Sequence, residues 1–542
     1  MRRCAIAAVL VLAILVPMRA AEYLTAGVDP QRTGWVKNEK VFTPANVSRM
    51  KLLWKTKLES TPREMHNLFP PLVAEGVTTA RGPRQILVVP GVSDDLFGVD
   101  AVSGEMFWSR HFDPSTGSGS PRAESRGDSA SDPANGAPPN TLCPGGQTAI
   151  PVIAPGASPG TYVAYALSWD GRLRQINVSD GTDVAPPEKF APPNGKPYAL
   201  NLVNGVIYTT LAQGCGGWPN AFLSYDLATK KTSAFLPQGG GLWGRRGAAI
   251  DPEGRVYMGT GDNPYIPEQK NLGNAIVGVS IDANQQLQYA GHYAPKNANW
   301  MFKRDLDINV SPMAVDYRGR KFLLATSKEC RVWLLDRDNL GGADNRSELY
   351  RTPLICNDDS MLDEAGVWGS MAAWEDANGT AWVLVPFWGA VSKNFHAPIE
   401  HGRPVRGGVA AFKLEQRSGN WTLTPAWLSR DMDMAEEVLV ANGVVFTYGS
   451  GEDTRQQGFE RAFDEPARPA PALKGVTGQS ARRISNSTHA TLYALDAMTG
   501  KELWSSGDQI TSFNHFSGLT VANGRVYLPT YDGYLYCFGV TP

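Results

Sequence analysis

Asp305 and Asp307 stand two residues apart in the run Arg304-Asp305-Leu306-Asp307. On an extended chain, residues i and i+2 point to the same side. Both carboxylates could then meet one hard cation, which prefers oxygen ligands. The plainer use of this spacing is a solvated loop in which Arg304 neutralises the pair. Gly239 to Gly244 reads Gly-Gly-Gly-Leu-Trp-Gly, formally GxGxxG. Dinucleotide binding would require a strand before it and a helix after it. Its flanks are a proline-bearing turn and Arg245-Arg246-Gly247, so the nucleotide reading is rejected. The sequence has no Walker-type phosphate loop and no GxSxG elbow, and its seven histidines are scattered, which weakens a hydrolase triad. No Cys-x-x-Cys-His occurs, which excludes covalent haem on this chain, and there is no zinc-type Cys/His cluster.

The elements that must position such residues are legible in a repeat. Leu492 to Trp504 reads LYALDAMTGKELW: a packed strand, an Asp496 that caps a tight turn, Gly500 for the positive φ, and a return strand ending in Trp504. The tryptophan is large enough to fill the gap between neighbouring sheets. LFGVDAVSGEMFW at Leu96–Trp108 is the closest copy, and LSYDLATKKTSAF at Leu223–Phe235 has Phe in place of Trp. Weaker copies start at Tyr165, Val277, Val332 and Val409. The front half of one more unit, Leu535 to Val540, ends the chain, and its missing back half is Lys51 to Leu58 near the start. A unit shared between the termini closes a ring of sheets. The expected fold is all-β: an eight-bladed β-propeller of four-stranded blades, the last built from N- and C-terminal strands. The count falls to seven if one weak copy is spurious.

Residues 1–21 read as a signal peptide: Arg2 and Arg3, an apolar run from Ala5 to Pro17, and small residues at Ala20 and Ala21. Cys4 precedes the apolar run and so is no lipid anchor. No other segment approaches the ~20 apolar residues of a membrane span. Residues 22–542 are then one propeller domain with flexible insertions at 114–140 and 453–486. The expected location is periplasmic or secreted. The formal net charge is −2 with no basic block, so nucleic acid is not an expected partner. Five cysteines follow the leader, an odd number, and spacing leaves their pairing open.

Between Gly239 and Arg337, the segments GGGLWGRRG, GTGDNPY, WMFKRDLDINVSP and SKECRVWLLDR resemble the quinoprotein alcohol dehydrogenases and the wider set of pyrroloquinoline quinone (PQQ) propellers. The repeat resemblance extends over nearly the whole mature chain, and the opening residues 24–55 also resemble that family. The resemblance implies PQQ held at the axis with Ca²⁺ or a lanthanide ion. It places Trp243 as the floor under the cofactor, a position an inter-blade core tryptophan would fill equally well. Asp262 falls where the family has a metal-binding asparagine, although Asp-Asn-Pro is also a turn signal. Asp305 and Asp307 fall at the catalytic aspartate, the second acid resembling lanthanide-using members. Lys328 falls where a cation faces the quinone oxygen. By this resemblance the catalytic residues are Asp305 and Lys328, the cofactor is bound by Trp243, Lys328 and the position of Cys215, and the metal by Asp262, Asp305 and Asp307.

Cys215 is a departure: it occupies the place of the family's metal-binding glutamate, and a thiol is a poor calcium or lanthanide ligand. The family's vicinal cysteine pair is absent, and a Cys143–Cys215 bridge across blades is one pairing the sequence allows. The expected function is an exported PQQ-dependent dehydrogenase that oxidises an alcohol or sugar-type hydroxyl and passes electrons to a separate acceptor such as a cytochrome. The alternative is a non-catalytic binding or scaffold propeller of the cell envelope that has lost the cofactor. A third reading, a hydrolytic site built by the insertions, would draw on Glu436, Glu437, His396 and His401, although no spacing singles them out.

Overall fold

The computed structural model describes residues 21–112, 142–360, 364–455 and 478–540. The leader and the insertion at 114–140 lie outside these residues, apart from Ala21. Of the second insertion, 456–477 lie outside them, while Gly478–Asn486 is an α-helix. Eight antiparallel sheets, each a meander of four strands, make an eight-bladed propeller, and two blades carry a fifth short strand. First strands begin at Leu72, Val152, Asn201, Ala249, Met313, Ala372, Ala435 and Thr520 for blades 1 to 8. The ring closes as the split repeat predicts: Lys51–Lys57 pairs antiparallel with Tyr534–Gly539, completing blade 8.

The repeat chemistry explains how blades stack. The Asp100, Asp226 and Asp496 carboxylates each accept two backbone N–H bonds from the turn that follows. The tryptophan on one blade's outer strand seats against the turn glycine of the next. A Cβ on Gly104, Gly181 or Gly500 would come within 2.7, 2.7 or 2.3 Å of the ring of Trp54, Trp108 or Trp427. Two of these indoles also donate to the neighbouring turn, Trp108 to Val178 O at 2.9 Å and Trp427 to Ala497 O at 3.0 Å. Middle strands such as Asp95–Asp100 and Ala381–Trp388 are buried throughout, as a blade covered on both faces requires. The weak copy at Tyr165 is displaced by one strand. Tyr162–Leu167 and Arg172–Asn177 are the second and third strands of blade 2, and Asn177 takes the turn-capping place of the aspartate.

The opening segment closes one mouth of the axial channel. It visits the first strands in order: Tyr23 pairs with Val73, Leu24 accepts from Ile153, and Pro30 accepts from Asn201 and Ile250. Gln31 then accepts from Ala314, Thr33 from Ala373, and Gly34 and Val36 bond Val440. Arg32, fully buried, spends its guanidinium on Thr25, Ala26, Leu200 and Ala248. What remains at the axis is the end where the first strands begin. No helix of the described residues is long and apolar enough to cross a membrane.

Candidate active site

Two kinds of segment supply this end of the axis: the chain entering each first strand and the loop leaving each second strand. His66, Lys196, Asp307, Trp368 and His515 lie four to six residues ahead of a first strand, and Trp243 lies in the first half of the split first strand of blade 4, six residues ahead of Ala249. Asp262, Lys328 and Glu452 lie in loops just beyond the second strands Val256–Thr260, Arg320–Thr326 and Val444–Gly449.

In blade 4 the first strand is interrupted. Leu242–Trp243 and Ala249–Ile250 both pair with the second strand, and Gly244-Arg245-Arg246-Gly247 bulges between them. The glycine run serves close approach: a Cβ on Gly240 would sit 1.5 Å from Gly261 O, and one on Gly247 2.2 Å from Ala199 O. The bulge sends Arg246 across the axis to Glu437 Oε1 at 2.7 Å, Met371 O at 2.6 Å and Val438 O at 2.8 Å. It leaves Arg245 facing the chamber.

The three aspartates singled out from sequence come together. Oxygens of Asp262, Asp305 and Asp307 lie within 4.8 Å of one another. Asp307, buried, accepts the Asp262 backbone N–H at 2.9 Å, and a Cβ on Gly261 would strike its carboxylate at 2.5 Å. Lys328 Nζ bridges Asp305 Oδ1 at 3.1 Å and Asp307 Oδ2 at 2.7 Å, while its backbone N–H donates to Asp307 O at 3.1 Å. The ammonium also lies 4.9 Å from the centre of the Trp368 ring and 6.0 Å from that of Trp243, which is half-buried. Trp243 Nε1 is buried without a hydrogen-bond partner among the described residues.

Charge is short on the positive side. Burial, then Asp307, pushes Asp262 up to about 7, although the residue opens to water, which moderates the push. Asp305 rises to about 8, chiefly through burial, with Asp307 adding to it against the pull of Lys328. In Asp307, Lys328 and the hydrogen bonds from Asp305 and from the Asp262 N–H outweigh burial and hold the carboxyl below its usual range. Burial opposes the Lys328 ammonium, but Asp307, Asp305 and Asp262 together push its pKa up.

Cys215 meets this cluster only through its loop. Gln213 Nε2 donates to Asp262 Oδ2 at 3.5 Å, while the Cys215 sulfur is bonded to Cys143 and offers no thiolate. A second disulfide, Cys330–Cys356, pins the Lys328 loop, and Asn357 Nδ2 adds a 2.8 Å bond to Lys328 O. Cys537 is free and buried.

Sequence reasoning missed half of the chamber. Trp368 stacks on Trp388 with centroids 5.1 Å apart, and Phe516 lies 5.5 Å from Trp388. Arg245 covers Phe516 at 5.1 Å and leaves Nη1 unpartnered. Lys196 is buried, and its ammonium makes no hydrogen bond among the described residues; burial, then Arg245, drives its pKa well down. Glu436 and Glu437 face the axis, whereas His396 and His401 flank Ile399–Glu400 on the outer rim of blade 6. The signal for the missed residues was blade phase: His66, Lys196, Trp368 and His515 each stand four to six residues ahead of a first strand.

No family model matches the sequence, and no curated protein does. Solved structures do match. A quinohemoprotein alcohol dehydrogenase from Comamonas testosteroni is similar over 96% of this chain and 80% of its own, at 16% identity and a TM-score of 0.53. One from Pseudomonas putida HK5 gives the same two coverages, with 13% identity and a TM-score of 0.51. A europium-containing methanol dehydrogenase is similar over 96% of this chain and 98% of its own, at 13% identity and a TM-score of 0.54. At these identities the likeness establishes the fold: the eight-bladed propeller of the quinoprotein alcohol dehydrogenases.

Proposed function

We propose that this protein is an exported PQQ-dependent dehydrogenase that oxidises an alcohol or sugar-type hydroxyl. The observation that carries the reading is the Asp262, Asp305 and Asp307 cluster, held by Lys328 beside Trp243 in a chamber closed at its far mouth. The residues fit both implied groups. Three carboxylates with oxygens this close suit a hard cation such as Ca²⁺ or a lanthanide ion. A flat, acidic cofactor suits the Trp243 and Trp368 faces, the Arg245 guanidinium and the Lys196 side-chain nitrogen, whose donors are not fully spent among the described residues.

Bound PQQ supplies a two-electron acceptor for hydride. Lys328 would hold a fixed positive charge beside bound PQQ, an electrostatic stabilisation of a reduced cofactor that needs no reorganisation. Asp305, with 37% of its side chain exposed, is placed to hydrogen-bond a substrate hydroxyl beside the cation. Electrons would pass from the bound cofactor to a separate carrier such as a cytochrome. Export rests on the leader-like residues 1–21.

The internal ion pairs of Lys328 also suit a scaffold propeller in which the cluster is purely structural. Titration with PQQ in the presence of Ca²⁺, then La³⁺, followed by tryptophan quenching, separates the two. Saturable, metal-dependent quenching lost in Trp243→Ala, with turnover abolished in Asp305→Asn, supports the dehydrogenase. Absence of binding with either ion sinks it in favour of the scaffold.

A further inference from the structure

Opposite the aspartates, the chamber holds a second arrangement. His515 Nδ1 lies 2.5 Å from Glu452 Oε2, and Glu452 Oε1 accepts from Arg483 Nη2 at 3.3 Å. Arg483 stands on the helix Gly478–Asn486, so the second insertion braces this pair. The imidazole is fixed further by edge contacts with His66 and Phe516, at 4.8 and 4.7 Å between centroids. Its Nε2 has no hydrogen-bond partner among the described residues. His66 Nε2 lies 3.2 Å from Arg245 Nη2, and this arginine follows Trp243 by two residues and lies over Phe516, so both arrangements face one space.

We infer that His515, oriented by Glu452, is a catalytic base of this chamber that accepts the hydroxyl proton of a polyhydroxylated substrate. A carboxylate on Nδ1–H fixes the tautomer and leaves the Nε2 lone pair to take a proton. Asp305 is engaged with Lys328 and Asp307, whereas Nε2 is uncommitted. His66 Nδ1, Arg245 Nη1 and Glu436 Oε1 are also buried and unpartnered among the described residues, and such atoms are satisfied by a ligand with several hydroxyls. In the step itself the O–H proton passes to Nε2, and the C–H hydrogen leaves with its electron pair to the quinone. The C–O bond becomes C=O. Carbon loses two electrons, the quinone gains two, and the imidazolium returns its proton to solvent.

The ionisation of the pair agrees with this geometry. Burial pushes Glu452 up to about 7, against Arg483 and Arg245 and with Asp453, so its carboxylate form is reached near neutral pH. Glu436 and Lys196 also act on the pair. Burial, then Arg483, Arg245 and Lys196, keeps His515 neutral.

The inference rests on the dehydrogenase reading, and the test separates the two. The full-length protein, loaded with PQQ and Ca²⁺ or La³⁺, is assayed on glucose, glycerol and ethanol with an artificial electron acceptor. His515→Gln is expected to lower kcat by ~10²–10⁴-fold with PQQ affinity unchanged. Glu452→Gln should lower kcat more than it raises KM. Nitrogen-15 histidine spectra should show His515 as the Nδ1–H tautomer at pH 8, and Glu452→Gln should lose it. Wild-type turnover in His515→Gln, or an Nε2–H tautomer at pH 8, overturns the base while leaving the dehydrogenase standing. A wild-type protein that binds no PQQ and oxidises none of these alcohols overturns the dehydrogenase reading, and the base with it.

Discussion

The aspartate cluster and the histidine pair face one chamber but are satisfied in opposite ways. Asp262, Asp305 and Asp307 place three acids around Lys328, and burial first, with Asp307 adding to it, pushes the Asp262 and Asp305 carboxyls up to about 7 and about 8. His66 and His515 are neutral bases, and Glu452 between His515 and Arg483 is the one acid bonded to the pair. One side is built to receive positive charge and the other to receive a proton. Blade phase produces both, since each residue lies just ahead of a first strand or just past a second. The propeller repeats the position, and the side chain decides the chemistry.

Removing the lysine should break this contrast most. In Lys328→Met, two buried or half-buried carboxylates lose the one ion pair each makes among the described residues, and breaking a buried pair costs about 3–5 kcal/mol. Urea unfolding at pH 8 should show this loss. If the cluster is a cation site, millimolar Ca²⁺ or La³⁺ should restore the variant more than it stabilises wild type, because bound cation replaces the ammonium. Equal shifts in both proteins would mean that the acids do not bind the ion.

The histidine side should show itself in pH dependence. The folded pKa of Glu452, about 7, lies above its ordinary value of 4.5. Stability from the protonated form is therefore fully present below pH 4.5 and is lost as pH rises through 7. The loss from this residue is on the order of 3 kcal/mol. Glu452→Gln should flatten the stability curve between pH 5 and 8, whereas an unchanged slope would assign the effect to other acids.

The ring was readable because its closure leaves a covalent trace. LYCFGV at one terminus and KLLWKTKL at the other are halves of one unit, and they pair antiparallel from Tyr534 to Gly539 with one register shift at Leu53. The acids were readable because DxD and Asp-Asn-Pro are local patterns. The plug formed by Tyr23 to Val36 was not, because its partners come from seven blades and are mostly backbone atoms, which no side-chain pattern records. His515, Glu452 and His66 were unreadable for a related reason: they are 63 and 386 residues apart along the chain and meet only through the ring. The blade 2 slip at Tyr165 arose because Trp169-Asp170-Gly171 makes the same kind of turn as the repeat, one strand early.

Asp305→Asn should have the smallest effect on stability and the sharpest meaning. Asp305 already favours its neutral form near pH 7, and the amide keeps an oxygen toward Lys328 Nζ. The folded protein should therefore change by less than about 1 kcal/mol, the scale of a partly exposed ion pair. Cation affinity depends on the charge that the amide lacks, so Ca²⁺ or La³⁺ binding, followed by calorimetry, should weaken by about tenfold or more. A variant equally stable but unchanged in cation binding would leave Asp305 outside the metal shell. The ion would then rest on Asp262 and Asp307 alone, and Asp305 would keep only its place beside the substrate.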